Sequence, residues 1–414
     1  MFLTKIISGL KKDFLSIPFG IKLLVFVIVL RSVGWGFADP FYSLYLEQFS
    51  SDYTVIGIFS ALLSLSALLT LIPLTRVLDK VKEKTIIADG EALYFFVFIA
   101  YVFAGMFKSV PLLIITLFLS GMAQTMVIIG TEAYIRKNDG EGKSTSFGFY
   151  IALDYFGWII GMIIAAYTVQ YYNFNTMFLF IIPSVIASFF ILPRLHESGI
   201  RSLIVGVRRY FGSKKDIVGI LQDCKELSPK MIFFLVIAFF DGAIRMFSFV
   251  FIPLFGLSIH LSLKSIALLM AVMYTPFILS FFFSEMSEKF KKMNVIAVGL
   301  LIGAISFISL YFIVSTVWIV ILATAISLSM AIVRPAYNGA ITRLTPRRMM
   351  GEVTGFNNLA ERAGRIAGPI FTGIIADAYG LQMTFLLMAI IALGLGVATV
   401  LLKGYDIVLL EPIE

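Results

Sequence analysis

The chain has 414 residues, 59% hydrophobic and 14% charged, with a net charge of +8 and a mean hydropathy of +0.96. An ordinary soluble domain carries about 25% charged residues, so this composition excludes a soluble fold. The excess positive charge sits in alternate loops, which marks membrane topology and excludes a nucleic-acid surface.

Met1 to Gly20 is basic and weakly apolar. The apolar run that follows contains Arg31, Asp39 and Pro40 and has no small-residue cleavage site, so it reads as a signal anchor. A helix needs about 20 mostly apolar residues to cross the hydrocarbon core. By that measure the first half offers six spans, at about 21–45, 54–77, 86–106, 110–134, 146–170 and 174–193. The second half offers six more, at about 231–255, 264–287, 294–315, 317–341, 355–378 and 381–402. The expected fold is an all-α membrane protein of twelve transmembrane helices in two pseudo-symmetric six-helix bundles.

Basic residues occur at Lys5, Lys11 and Lys12, at Arg76, Lys80, Lys82 and Lys84, and at Arg136, Lys137 and Lys143. They return at Lys289, Lys291 and Lys292 and at Arg343, Arg347 and Arg348. The intervening loops carry little beyond Glu47, Asp52, Lys108, His260 and Lys264. The positive-inside rule therefore places both termini in the cytoplasm of a multi-pass protein of the cell inner (plasma) membrane. Residues 194–230 interrupt the apolar pattern with eight basic and four acidic side chains. They divide the chain into an N-terminal bundle at 1–193, a cytoplasmic linker at 194–230 and a C-terminal bundle at 231–414. Within the linker, Ile200 to Leu221 suits either a helix on the anionic inner leaflet or a solvated connection. Cys224 is the one cysteine, so no internal disulfide forms. His196 and His260 have no ligand cluster, and no metal site is expected.

Sliding the first half by 207 residues superposes Gly148, Gly157 and Gly161 on Gly355, Gly364 and Gly368, Arg136 on Arg343, and Asp154 on Glu361. Six helices separate the copies, so the two halves share one orientation. Small residues every four positions let helix backbones approach, making Gly157, Gly161, Gly364 and Gly368 candidates for packing seams.

Two stretches carry a family resemblance. Thr75-Arg76-Val77-Leu78-Asp79-Lys80-Val81-Lys82-Glu83-Lys84 and its second-half counterpart, Ser284 to Lys292, resemble the acidic-basic loop between helices two and three of the major facilitator superfamily. Thr75 and Lys82 replace that loop's glycines. The run RPAYNGAITRLTPRRMMGEVTGFNNLAERAGRIAGPIFTG, Arg334 to Gly373, is similar to the family's helices ten and eleven. Members with G-x8-G-x3-G-P in helix five are often proton-coupled drug exporters. Here Met162 takes the proline position of helix five and Pro369 appears in helix eleven, leaving transport direction open. The resemblance implies a secondary transporter whose helices one, four, seven and ten line a cavity.

Among the ionisable residues inside the spans, six stand out: Arg31, Asp39, Asp154, Asp241, Arg245 and Glu361. Facing lipid they would cost about 3 kcal/mol each, together more than the 5–15 kcal/mol stability of a typical domain, so they face protein, water or one another. Asp154 is the leading proton-coupling candidate, with Asp39, Asp241 and Glu361 behind it. A carboxylate fixed to an arginine such as Arg362 or Arg365 is the competing reading. Arg31, Trp35 and Asp39 form an i, i+4, i+8 stripe. The resemblance places Arg31, Trp35, Tyr42, Glu132, Arg245, Phe251, Arg334, Tyr337 and Asn338 around the cavity. A cytoplasmic gate is expected from Asp79, Lys80, Arg136, Glu288, Lys289 and Arg343.

The aromatic and methionine content of these stripes suits amphipathic organic compounds, and the expected function is their proton-coupled export by alternating access. Uptake or exchange of small organic anions or sugars is the alternative, and a receptor or lipid scramblase is the non-transporting one. No His, Cys or Ser cluster points to an enzyme. The expected partners are a small-molecule substrate and membrane lipids, with no nucleic acid. No cofactor is expected beyond the transported protons, and the chain is expected to act as a monomer.

Overall fold

A computed structural model describes residues 18–77, 81–138, 145–194, 228–313, 315–345 and 350–405. Asp79, Lys80, the linker segment 200–221 and Cys224 lie outside the described residues. The elements in order are α1 (Phe19–Ala38), α2 (Tyr42–Glu47), α3 (Tyr53–Val77), α4 (Glu83–Phe107), α5 (Val110–Asn138), α6 (Thr145–Thr168) and α7 (Ile182–Ile191). They continue with α8 (Pro229–Ser258), α9 (Leu263–Ile278), α10 (Ser280–Lys289), α11 (Lys292–Phe312), α12 (Thr316–Leu344), α13 (Met350–Tyr379) and α14 (Leu381–Tyr405).

Ten of the spans are long and apolar enough to cross a bilayer unaided. The pair α9–α10, bent by 45°, adds one more. The 30-residue α13 carries Glu361, Arg362 and Arg365 in its middle and completes an all-α membrane fold of about twelve helices. Many large apolar side chains point outward, among them Phe96, Phe103, Ile115, Trp318, Phe371 and Leu401. So much exposed apolar surface suits lipid as the surrounding solvent and would be an aggregation hazard in water.

Two expected spans are broken. The first helix stops at Ala38 and passes through a 3-10 turn at Asp39–Phe41 before α2. Pro40 has no backbone N–H and disfavours helical geometry at Asp39, which forces the break. The eighth span breaks at Leu279, whose N–H is bonded to the Pro276 carbonyl. Between α13 and α14, Gly380 turns the chain at φ +88°, a conformation glycine adopts without steric cost.

Packing divides the chain into two units. One comprises Met1–Ala38, Ser66–Gly161 and Tyr172–Lys214, and the other Asp39–Leu65, Met162–Tyr171 and Lys215–Glu414. In the first, α1 and α6 touch backbone to backbone. A methyl group on Gly157 would lie 2.8 Å from the Val29 carbonyl oxygen, and one on Gly36 or Gly161 would collide with Trp158 or Val33. In the second, α8 and α13 make the equivalent seam. Methyls on Gly242 and Gly364 would strike the carbonyls of Glu361 and Phe239, and one on Gly368 would stand 2.8 Å from Ala243 Cα. Among the described residues Gly355 meets no seam, with nothing within 4 Å of its side. Gly148 lies in α6.

The second unit also ties α3 to α13. Gly57 meets the Pro369 carbonyl and Gly373 meets the Tyr53 carbonyl. Replacing Gly364 by leucine is expected to destabilise the protein by about 1–3 kcal/mol or more, seen as a lower unfolding temperature of purified protein in detergent. Gly355→Ala is expected to leave that temperature unchanged.

Candidate functional site: two buried charge clusters

The first unit holds a cluster where α1, α4 and α6 meet. Arg31 on α1 donates from Nη1 to Glu91 Oε1 on α4 at 3.3 Å, with the Arg31 side chain 8% exposed and that of Glu91 wholly buried. Glu91 Oε2 has no hydrogen-bond partner among the described residues. Beside this pair, Ser32 is hydrogen-bonded to Asp154 on α6, and Asp154 is close enough for the Arg31 charge to act on it. One helical turn along α1, Trp35 sits edge-on to Tyr94 and Phe98 at 5.6 and 5.2 Å, and those two rings stack on each other. Burying these rings beside the ion pair excludes water and strengthens its electrostatics.

The second unit holds the other cluster, on α8, α12 and α13. Arg245 lies 3.6 Å from Asp241, one turn away on α8, and Tyr337 donates its hydroxyl to Asp241 Oδ2 at 3.4 Å. Glu361 accepts from Arg334 Nη2 at 3.0 and 2.8 Å and from Arg365 Nη2 at 2.5 Å. That clamp occupies both carboxylate oxygens. Arg334 and Arg365 are each 34% exposed although Arg365 stands in the middle of the 30-residue α13. Asn357 donates to Asn338 at 2.8 Å beside this group.

The remaining expected residues are scattered. Asp39 is buried in its 3-10 turn in the second unit, with Oδ2 lacking a hydrogen-bond partner among the described residues. Tyr42, Phe251 and Tyr337 are fully buried. Tyr42 packs against Phe249 at 5.5 Å and Phe251 against Phe247 at 5.9 Å. Of the expected gate, Arg136 pairs with Glu132 along α5 at 3.7 Å, and Lys289 with Glu285 along α10 at 2.7 Å. Glu288 and Arg343 both act electrostatically on Lys292. Among the described residues, no three His, Cys, Asp or Glu side chains gather as a metal-binding group.

Three contributors escape the sequence reading. Glu91 is an acidic residue inside the apolar run 86–106, and that position is the signal that marks it. Ser32 looks like any small helix residue. Asp377, near the end of α13, accepts from the backbone N–H groups of Tyr53 and Thr54 at 2.8 Å each and from the Thr54 hydroxyl at 2.5 Å. It caps the start of α3 from 323 residues away, so no local capping pattern reveals it.

A family model described as Major Facilitator Superfamily matches residues 24–216 and 233–408. The chain belongs to the Major Facilitator Superfamily. Two curated relatives from Bacillus subtilis (strain 168) are described as uncharacterized MFS-type transporters. YttB is 30% identical over 153 residues, 36% of this chain and 36% of its own length. YxiO is 26% identical over 136 residues, 33% of this chain and 31% of its own length. The alignments thus span about a third of each relative. Among solved structures, a mutant of the nucleoside transporter NupG aligns with a TM-score of 0.74 at 13% identity, covering 92% of this chain and 99% of that one. A peptide transporter POT in complex with sulfate aligns at 0.72 and 15% identity, covering 94% and 95%. These likenesses carry the fold.

The cap and the clamp generate two predictions. Asp377→Ala is expected to cost about 0.5–2 kcal/mol, the usual loss of a helix cap, with Asp377→Asn recovering most of it in the same thermal unfolding assay. Glu361→Gln leaves two guanidiniums facing a neutral amide and is expected to cost on the order of 3 kcal/mol. The double change Glu361→Gln with Arg365→Gln should cost less than the sum of the two single changes, read from a double-mutant cycle.

Proposed function

We propose that this superfamily member is a proton-linked secondary transporter of small organic anions. Alternating access by two parallel six-helix bundles, divided by the linker at 194–230, would move the substrate across the cell inner membrane, with both termini cytoplasmic. The observation that carries the substrate class is the charge count in the second unit. In the cluster among the described residues, three guanidiniums, Arg245, Arg334 and Arg365, stand with two carboxylates, Asp241 and Glu361. A guanidinium facing hydrocarbon costs about 2.5–3.5 kcal/mol at a helix centre, so the exposed faces of Arg334 and Arg365 favour a water-filled cavity. A net cation at its wall attracts a carboxylate or phosphate, and the guanidinium fork binds either in bidentate fashion.

Proton linkage draws its support from the opposite balance in the first unit, where Glu91 and Asp154 share Arg31. Burying two carboxylates beside one cation is costly unless one of them carries a proton. Proton-coupled export of amphipathic compounds, as in the drug exporters, is a second reading. The ring cluster of Trp35, Tyr94 and Phe98 favours it, whereas the complete burial of Tyr42, Phe251 and Tyr337 leaves those rings little surface for a ligand.

Proteoliposomes holding a pH-sensitive dye would test the proposal against panels of small carboxylates and phosphates, lipophilic cations, and sugars. Proton movement is expected with a member of the anion panel and is expected to fall at least tenfold in Arg334→Gln or Arg365→Gln. Movement with lipophilic cations alone would favour the second reading. No flux with any class would favour a receptor or scramblase.

A further inference from the structure

The cluster in the first unit has more hydrogen-bond acceptors than its protons can serve, and the mismatch falls on one hydroxyl. Ser32 Oγ lies 2.8 Å from the Ile28 carbonyl oxygen, one turn back along α1. The same oxygen is hydrogen-bonded to Asp154 Oδ1. A serine hydroxyl has one proton to give and two lone pairs to receive. If that proton goes to the Ile28 carbonyl, Oγ can only accept from Asp154, which then must carry a proton of its own. If Asp154 is a carboxylate, the serine proton has to turn toward it and leave Ile28.

These two hydrogen-bond states place different demands on Arg31. With a neutral Asp154 the guanidinium answers one carboxylate, and its pairing with Glu91 at 3.3 Å fits that state. With an ionised Asp154 it faces two carboxylates, because the Asp154 charge reaches it beside that of Glu91. Glu91 Oε2 has no hydrogen-bond partner among the described residues, so Glu91 is held by little besides this guanidinium. The backbones cannot absorb the change. A methyl on Gly157 would stand 2.9 Å from Ser32 Cβ, and Gly161 is pressed against Val33, so the seam fixes Ser32 opposite Asp154. What remains free to move is the proton and the long Arg31 side chain.

Arg31 faces Asp154 from α1. Tyr150 and Tyr155 stand on its own helix. From α4, Glu91 and Tyr94 surround Arg31, and from α5 the Glu132 charge reaches Tyr150. Among these groups Arg31 is the cation, and both Glu91 and Asp154 draw on it.

We propose that Asp154, Ser32, Arg31 and Glu91 form one proton-exchange unit in which a proton on Asp154 directs the Ser32 hydroxyl to Ile28 and leaves Arg31 with Glu91. Loss of that proton turns the hydroxyl to Asp154 and draws Arg31 off Glu91. In the exchange the Asp154 O–H bond breaks, the proton passes to water, and the electron pair stays on the carboxylate. Ser32 and Glu91 are positioning residues, and Asp154 is the group that binds the proton. For its use in transport the unit rests on the proton-linked reading above.

Infrared titration of the purified protein in liposomes tests the unit without any substrate. The difference between wild type and Asp154→Asn isolates the C=O stretch of a protonated Asp154. A band that disappears as pH rises is expected. Glu91→Gln is expected to move its midpoint to lower pH by about one unit, a tenfold loss of proton affinity, because Arg31 is then released to the ionised Asp154. A Glu91 that only fills space would leave the midpoint unmoved. Ser32→Ala is expected to shift the band to higher frequency by removing the acceptor of the Asp154 O–H, and Ser32→Thr to restore it.

The absence of any protonated Asp154 band across the pH range would overturn the proposal. An unmoved midpoint in a folded Glu91→Gln protein would do the same. If that variant does not fold, an Asp154 band indifferent to Ser32→Ala is the overturning result. Normal titration together with no proton-linked flux in proteoliposomes would remove the transport reading and leave the exchange unit standing.

Discussion

Taking an ionised side chain out of water costs several kcal/mol even after the surroundings relax, and inside a membrane no solvent is at hand to return it. Among the described residues, several intramembrane charges meet that constraint by pairing. Arg31 finds Glu91, Arg245 finds Asp241, and Glu361 is gripped by Arg334 and Arg365. Removing one partner strands the other, so these side chains hold particular helices together as well as balancing charge. Arg31–Glu91 joins α1 to α4, and Arg334–Glu361 joins α12 to α13.

Ion pairs alone would not place these groups to within a hydrogen bond. The glycine seams do so by bringing backbones together. α1 lies against α6 where Gly36, Gly157 and Gly161 have no side chains, and α8 lies against α13 at Gly242, Gly364 and Gly368. Without a hydrophobic driving force between helices in lipid, close van der Waals packing of this sort is what selects neighbours. The seams and the charges are adjacent in sequence for that reason. Ser32 and Asp154 flank the contact of Gly157 with α1, and Glu361 presents its own carbonyl to Gly242.

Hydropathy made the spans readable because an apolar run of about 20 residues has few other uses. The repeat of 207 residues made the paired seam glycines readable, although Gly355 keeps the spacing without touching a neighbour. Breaks within spans were less visible. Pro40 carries the signal for ending α1, yet the apolar run continues through it into α2. Long-range polar partners were not visible at all. Glu91 meets Arg31 across 60 residues and Asp377 meets Thr54 across 323, and a lone acidic residue says nothing about which helix will answer it. The surroundings of the aromatic residues were not legible either: Tyr42 and Phe251 pack against other rings and Tyr337 hydrogen-bonds to Asp241, with all three buried.

Asp154 and Glu361 occupy equivalent places in the repeat, and their surroundings have diverged. Glu361 is met by two guanidiniums and accepts three hydrogen bonds through both oxygens, which takes three of its four lone-pair sites. Asp154 is met by one hydroxyl that is itself committed in two directions, and by a guanidinium already paired with Glu91. An internal duplication supplies two carboxyls at matching positions. Arginines at 334 and 365 both bond to the one at 361. Placing a second acid at 91 beside a single arginine makes the other one of two claimants. On the proposed reading the two carboxyls differ in the number of cations around each, while the helix seams that present both have stayed alike.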